Sequence, residues 1–219
     1  LVSLDFEIFD PPVASFTSLN QSCVNATVAF RDTSIANGKK IVNWIWDFGD
    51  NEFSDKQHPT HSYKKNGKYM VKLFVEGESG CISDVFSQEI IIYALPEADF
   101  TAGSPACENK SVTFSDKSVS TEGKIIKWFW DFGDQSQVEE RDSESPFIHT
   151  FKVSGTYIVK LRVLTDHGCE SMIFEKSILV NSLPVVNFGV PEVCIRDSFA
   201  QFTDSTTISD GSELTYLWN

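Results

Sequence analysis

Long apolar runs are missing from this chain, and so is any excess of positive charge. None of the 219 residues lies in the roughly 18–20-residue apolar stretch that a membrane helix needs. The most apolar run, Ile90 to Leu95, is strand-sized. Lys and Arg number 18 against 31 Asp and Glu, and a formal charge of −13 argues against a phosphate backbone or an anionic lipid surface as partner. Cysteine is sparse, five in all, and none stands in a Cys-x-x-Cys or a Cys/His cluster at ligand spacing, which disfavours zinc. There is no glycine-rich phosphate loop, and no Ser, Cys or Lys nucleophile in an activating motif. The chain is therefore expected to be non-catalytic. It opens on Leu1 rather than Met and carries no basic-then-apolar leader, so it is expected to be a piece of something longer.

What is present is an internal repeat with ample core material, 41% apolar residues including 18 Phe and 5 Trp. The run Trp44 to Asp50 (WIWDFGD) recurs as Trp128 to Asp134 (WFWDFGD), an offset of 84 (128 − 44). A third version begins at Tyr216 as YLWN. Upstream, Phe16, Phe100 and Phe188 recur in step, as do Phe30-x-Asp32, Phe114-x-Asp116 and Phe202-x-Asp204, and Cys23, Cys107 and Cys194. Downstream, Gly67 to Val75 matches Gly155 to Val163 at an offset of 88 (155 − 67). The four extra residues fall between Asp134 and His149, in a loop, where added length costs little.

Within each copy the apolar residues alternate, the period of half-buried strands. Val42, Trp44, Trp46 and Phe48 form one predicted core face, repeated by Ile126, Trp128, Trp130 and Phe132. Tyr69, Val71, Leu73 and Val75 form another, with Lys72 turned outward. On the opposite face of the Trp strand Ile45, Phe129 and Leu217 are apolar too, so a loop, a neighbouring module or a ligand is expected against them. Short strands punctuated by Gly, Asn, Asp and Ser predict an all-β chain of tandem antiparallel β-sandwiches.

The order W-x-W-D-F-G-D, then His61-x-Tyr63 or His149-x-Phe151, then G-x-Y-x-V-x-L, resembles the PKD domain, and the match covers nearly all of residues 11–182. The resemblance implies immunoglobulin-like sandwiches. The division expected is an end of a preceding module or linker at 1–10, modules at 11–94 and 95–182, and the first part of an incomplete third at 183–219. Where the family usually has a further Gly after the second Asp, Asn51 and Gln135 stand here. Left-handed backbone is easier for Asn than for Gln. The flanking cysteines resemble the version found in large secreted proteins of Bacteroidota. Disulfides are expected within each copy, Cys23 with Cys81 and Cys107 with Cys169, leaving Cys194 for a residue past the end. Buried free thiols are the competing reading.

Trp46, Asp47, Gly49 and Asp50, with Trp130, Asp131, Gly133 and Asp134, are read as a structural motif, because Asp and Gly hold turns. His61 and His149 keep a fixed place in the repeat, as packing residues would. No cofactor is required. Some PKD-like modules of secreted bacterial proteases bind calcium, so Asp10, Glu97 and Asp99 are the calcium candidates. Asn20, Asn25 and Asn109 lie in N-x-Ser/Thr sequons.

The links Tyr93-Ala94-Leu95-Pro96 and Asn181-Ser182-Leu183-Pro184 are short and stiffened by Pro, which predicts a semi-rigid rod. The resemblance then implies a non-catalytic stalk segment of a large, extracellular or cell-surface bacterial adhesin, of the kind used in attachment or gliding motility. Its partners would be neighbouring modules, surface glycans or other cell-surface proteins, without nucleic acid or membrane insertion. The alternative is a spacer or substrate-binding accessory of a secreted polysaccharide- or protein-degrading enzyme.

Overall fold

The computed structural model describes residues 10–38, 40–194, 196 and 199–217. The segment expected as a linker at 1–10 lies outside these apart from Asp10, and so does Trp218. The described residues form strands, turns and loops only, and no helix long and apolar enough to cross a membrane is among them.

The first copy contains β1 (Phe16–Thr17), β2 (Gln21–Cys23), β3 (Val28–Ala29), β4 (Arg31–Asp32), β5 (Ile41–Asp47), β6 (Phe53–Ser54), β7 (Thr60–His61), β8 (Gly67–Gly77) and β9 (Phe86–Tyr93). Five of them make one sheet in the order β2-β9-β8-β5-β6. It is antiparallel except at one edge, where β2 runs parallel to β9. The pairs β1-β4 and β3-β7 carry Phe16 and Val28 against it, so that both layers bury Phe16, Phe30, Trp46, Phe48, Val71 and Leu73 in one core. The Phe16 and Trp46 rings meet at 5.0 Å.

The second copy repeats the plan with β10 (Phe100–Ala102), β11 (Ala106–Cys107), β12 (Ser111–Asp116), β13 (Ile125–Asp131), β14 (Glu139–Arg141), β15 (Phe147–Thr150), β16 (Gly155–Thr165) and β17 (Phe174–Asn181). The large sheet runs β11-β17-β16-β13-β14, again with one parallel edge pair, and β10-β12-β15 form the smaller one. The strand after the turn is longer here: β15 has four residues where β7 has two. In the third copy β18 (Phe188–Gly189) pairs with β19 (Thr203–Asp204), setting Phe188 opposite Asp204 as Phe16 sits opposite Asp32.

The chain resolves into two compact units whose limits do not follow the sequence copies. One is Leu1–Glu97 together with Ser120–Ile126 and Leu164–Ser171, and the other is the remainder. Two loops that belong to the second copy by sequence are thus part of the first unit.

The strand faces need one correction. Trp46, Phe48, Trp130 and Phe132 are buried as expected, but Val42 and Ile126 are 45% and 40% exposed. The cause in the first copy is a register shift between Ile41 and Asn43, where Ile41 faces Gly77 and Asn43 faces Glu76. A bulge inserts one residue and reverses the alternation before it, so Ile41 and not Val42 packs against the core. The second copy has the same inversion, with Ile125 only 9% exposed. Ile125→Ala is accordingly expected to cost about 2–5 kcal/mol in denaturant unfolding. Ile126→Ala should stay within about 0.5 kcal/mol of the parent.

Candidate functional site

Each WDFGD run ends β5 or β13 in a turn built from its own side chains. Asp47 Oδ1 accepts the Gly49 amide at 2.9 Å, and Asp50 Oδ1 accepts the Glu52 amide at 3.2 Å. In the second copy Asp131 accepts from Gly133 at 2.9 Å and Asp134 from Ser136 at 3.1 Å. Gly49 and Gly133 lie at φ +82° and +69°, and a Cβ there would stand 2.9 Å from the Met70 carbonyl oxygen or 2.6 Å from that of Ile158. Only glycine lets the turn close on the neighbouring strand. Asn51 and Gln135 both adopt positive φ, 71° and 68°, so the two turns share one geometry despite the Gln.

The second carboxylate of the turn holds the histidine. His61 Nε2 lies 2.7 Å from Asp50 Oδ2, and His149 Nε2 lies 2.8 Å from Asp134 Oδ2. Each imidazole stacks on the motif Phe, His61 on Phe48 at 4.3 Å and His149 on Phe132 at 3.7 Å. The edge of the next aromatic, Tyr63 or Phe151, closes the other side. Burial pushes the Asp134 carboxyl up, but hydrogen bonds from Ser136 and His149 outweigh it and hold it below the usual carboxylate range. Tyr63 donates to the Phe48 carbonyl at 3.1 Å. Burial, then the nearby Asp50, pushes its phenol far up. An Asp/His pair with its ring faces covered by aromatics is built to brace a turn. His61 is buried, 7% exposed.

The outward apolar positions are treated differently in the two copies. Phe129 is capped by the Arg162 guanidinium at 4.4 Å, whereas Ile45 stays 47% exposed, as does Leu217 at 89%.

The cysteines depart from expectation. Cys23 is bonded to Cys169, with 5.6 Å between their Cα atoms, while Cys81 and Cys107 are free thiols. The strand lengths explain this. Cys23 sits beside Tyr93, and Ile92 lies opposite Gly67, at the start of β8. Cys81 is in the turn that closes at the other end of β8, where its carbonyl accepts the Gly77 amide at 3.0 Å. Eleven residues separate the two ends, a distance of roughly 30 Å at strand rise. A disulfide tolerates no more than about 7 Å between Cα atoms. The same topology parts Cys107, opposite Asn181, from Cys169 in the turn beyond β16. A disulfide inside one copy is therefore geometrically barred.

Around the Cys23–Cys169 bond, the first unit gathers further contacts from its two loop segments. The His167 ring stacks on Tyr93 at 3.8 Å. Glu122 accepts the Ala94 amide at 2.6 Å and the Asn66 side-chain amide at 2.9 Å. These bonds, the Ala94 amide foremost, hold the Glu122 carboxyl below its ordinary range. Inside the second unit the same clasp recurs, with Asp210 accepting the Ser182 amide at 3.2 Å. Donor and acceptor shift together by 88 residues (182 − 94 and 210 − 122).

With this geometry in view, comparison with known proteins decides the family. A sequence model described as the PKD domain matches residues 9–92 and 93–178. The chain belongs to the PKD domain family. It is 30% identical over 150 residues to a pre-pro-metalloprotease, PrtV, of Vibrio cholerae, an alignment covering 67% of this chain but 16% of that protein. Collagenase ColQ1 of Bacillus cereus is 25% identical over 129 residues, covering 59% of this chain and 11% of the collagenase. The crystal structure of the PKD1 domain of the Vibrio cholerae enzyme is 34% identical, with a TM-score of 0.34, covering 38% of this chain and 98% of that domain. These relatives come from Vibrio and Bacillus, not from the Bacteroidota whose large secreted proteins the flanking cysteines resemble.

The PKD motif residues Asp47, Gly49, Asp50 and their counterparts Asp131, Gly133, Asp134 thus meet in two turns, with Trp46 and Trp130 buried in the strands before them. The calcium candidates do not meet: Asp10, Glu97 and Asp99 are exposed, and among the described residues no group of three or more His, Cys, Asp or Glu is placed to share a cation. Glu122, Asp210 and His167 belong to no motif of the repeat, and Tyr93 stands out in the sequence only as the start of a link. The available signal was an acidic residue preceding Gly in both Glu122-Gly123 and Asp210-Gly211.

Two outcomes follow. Because the Asp134 carboxyl is depressed in the folded chain, its stabilisation is full well above its ordinary pKa of 3.8 and lost as pH falls through and below that value. The midpoint of thermal unfolding of the second copy should drop on acidification below pH 3.8, and Asp134→Asn should flatten that drop. Cys169→Ser should speed amide exchange in Ser120–Ile126 and Leu164–Ser171 while leaving β5 and β8 protected.

Proposed function

We propose that this PKD chain is a non-catalytic accessory segment of a longer, secreted degradative enzyme, a spacer that positions a catalytic domain on a protein substrate. The observation carrying this reading is that the relatives it matches are named as a metalloprotease and a collagenase, of which it spans only 16% and 11%. The parent's activity lies in the part these copies do not supply. The disulfide supports an extracytoplasmic, oxidising location. The acidic surface suits a chain that must stay soluble outside the cell.

The copies themselves bring the stabilising machinery such a spacer needs. In each complete copy the Asp and His of the motif brace a turn, and Trp46 and Trp130 are packed in the cores. A surface stalk used in adhesion or gliding needs the same mechanical properties, but none of the matched proteases and collagenases favours it.

The test is deletion of residues 11–182 from the full-length protein. Hydrolysis of a small soluble peptide should be unchanged, while hydrolysis of an insoluble protein substrate should fall by about tenfold or more, as expected when a tethering contribution is lost. A parent with no hydrolytic activity, held on the cell surface and needed for attachment, would replace this reading with the stalk.

A further inference from the structure

The one complete disulfide obeys a rule that the other cysteines are placed to extend. Cysteines of the first type, Cys23 and Cys107, sit on the parallel edge strand beside the end of the last strand of their copy, opposite Tyr93 and Asn181. The turn after each is the same, with the Ala26 amide bonded to the Cys23 carbonyl at 3.0 Å and that of Lys110 to Cys107 at 3.2 Å. Cysteines of the second type, Cys81 and Cys169, sit in matching turns beyond the far end of the long strand, after Gly80 and Gly168 at φ +78° and +79°. Each of the first two copies thus carries its two thiols at opposite ends of an eleven-residue strand. The partner of either has to come from outside its own copy. Where both members are present, the bond joins the first-type Cys23 of one copy to the second-type Cys169 of the next.

We propose that Cys107 continues this series and bonds to the turn cysteine of the copy that follows it. The second observation behind this is the recurring clasp. Ala94 is held by Glu122 next to the Cys23–Cys169 bond, and Ser182 is held by Asp210 of the third copy at the matching place beside Cys107. Glu108, which follows Cys107, also accepts the Leu183 amide at 3.1 Å. The third copy therefore engages the region around Cys107 with the same loop that accompanies the bond already formed. The 219 residues end before the position in that copy equivalent to Cys169. Both thiols are partly exposed, within reach of a reagent or a partner, whereas Cys169 is fully buried.

Each new bond removes two protons and two electrons from two thiols. The electrons pass to the disulfide of a protein thiol oxidant: one cysteine thiolate attacks it, the partner thiolate resolves the mixed disulfide, and the oxidant leaves as a dithiol. The result is a second bond of the kind already formed, tying the second copy to the third as Cys23–Cys169 ties the first to the second.

The test is peptide mapping of the full-length protein, purified from the cells that make it, alkylated and digested without reductant. The proposal predicts a peptide with Cys107 joined to one from the following copy, and labelling of Cys107 at least about tenfold below that seen after reduction. In the 219-residue chain alone, Cys81 and Cys107 should both label without reductant. Cys107 labelled equally with and without reductant in the full-length protein, or joined to Cys81, Cys169 or Cys194, would overturn it.

Discussion

An eleven-residue strand runs through each of the first two copies, and its length dictates where everything else can go. It forms the centre of the large sheet, pairing β8 with β5 on one side and β9 on the other. Its alternate residues Val71, Leu73 and Val75 are fully buried and supply the floor on which Trp46 and Phe16 pack. The same length puts the two cysteines of a copy at opposite ends. A chain that must form disulfides from such copies can do so only by joining one copy to the next. The Cys23–Cys169 bond, spanning 146 residues of sequence, is the outcome.

Two small devices keep that strand in register. At one end the Asp/Gly turn uses a positive-φ glycine to bring the backbone of β5 or β13 against the neighbouring strand, closer than any side chain would allow. Asp50 and Asp134 then carry the order outward to a histidine sandwiched by aromatics. At the other end the bulge in β5 turns Ile41 inward and ends the alternation before the loop. Elsewhere Asp32 braces Trp44, accepting its indole N–H at 2.8 Å. Burial raises the Asp32 carboxyl, but bonds from Ser34, Gln57 and Trp44 outweigh this and hold it low. These polar groups are all spent on structure.

Much of this was legible from the residues. The repeat, the two cores and the turn role of Asp47, Asp50, Asp131 and Asp134 can be read from spacing and composition alone, because alternation and Asp/Gly turn chemistry are local. The disulfide partners were not legible. Spacing shows that Cys23 and Cys107 are equivalent and that Cys81 and Cys169 are equivalent, but not at which end of a strand each lies. The bulge was hidden for a related reason: IVNWIW and IIKWFW alternate acceptably in either register at their first two residues, and the choice is made by pairing with Gly77 and Glu76. The clasp by Glu122 and Asp210 depends on a meeting 28 residues away in sequence, with only an acidic residue before a glycine to mark it.

Which sulfur atoms are joined in this chain reports directly on where the long strand places each cysteine. The most direct measurement is mass spectrometry of the 219-residue protein, alkylated under denaturing conditions and digested without reductant. The structure predicts a single cross-linked species joining the Cys23 and Cys169 peptides. A species joining Cys23 to Cys81, or Cys107 to Cys169, would contradict it, and with it the topology that places those pairs at opposite ends of the long strand.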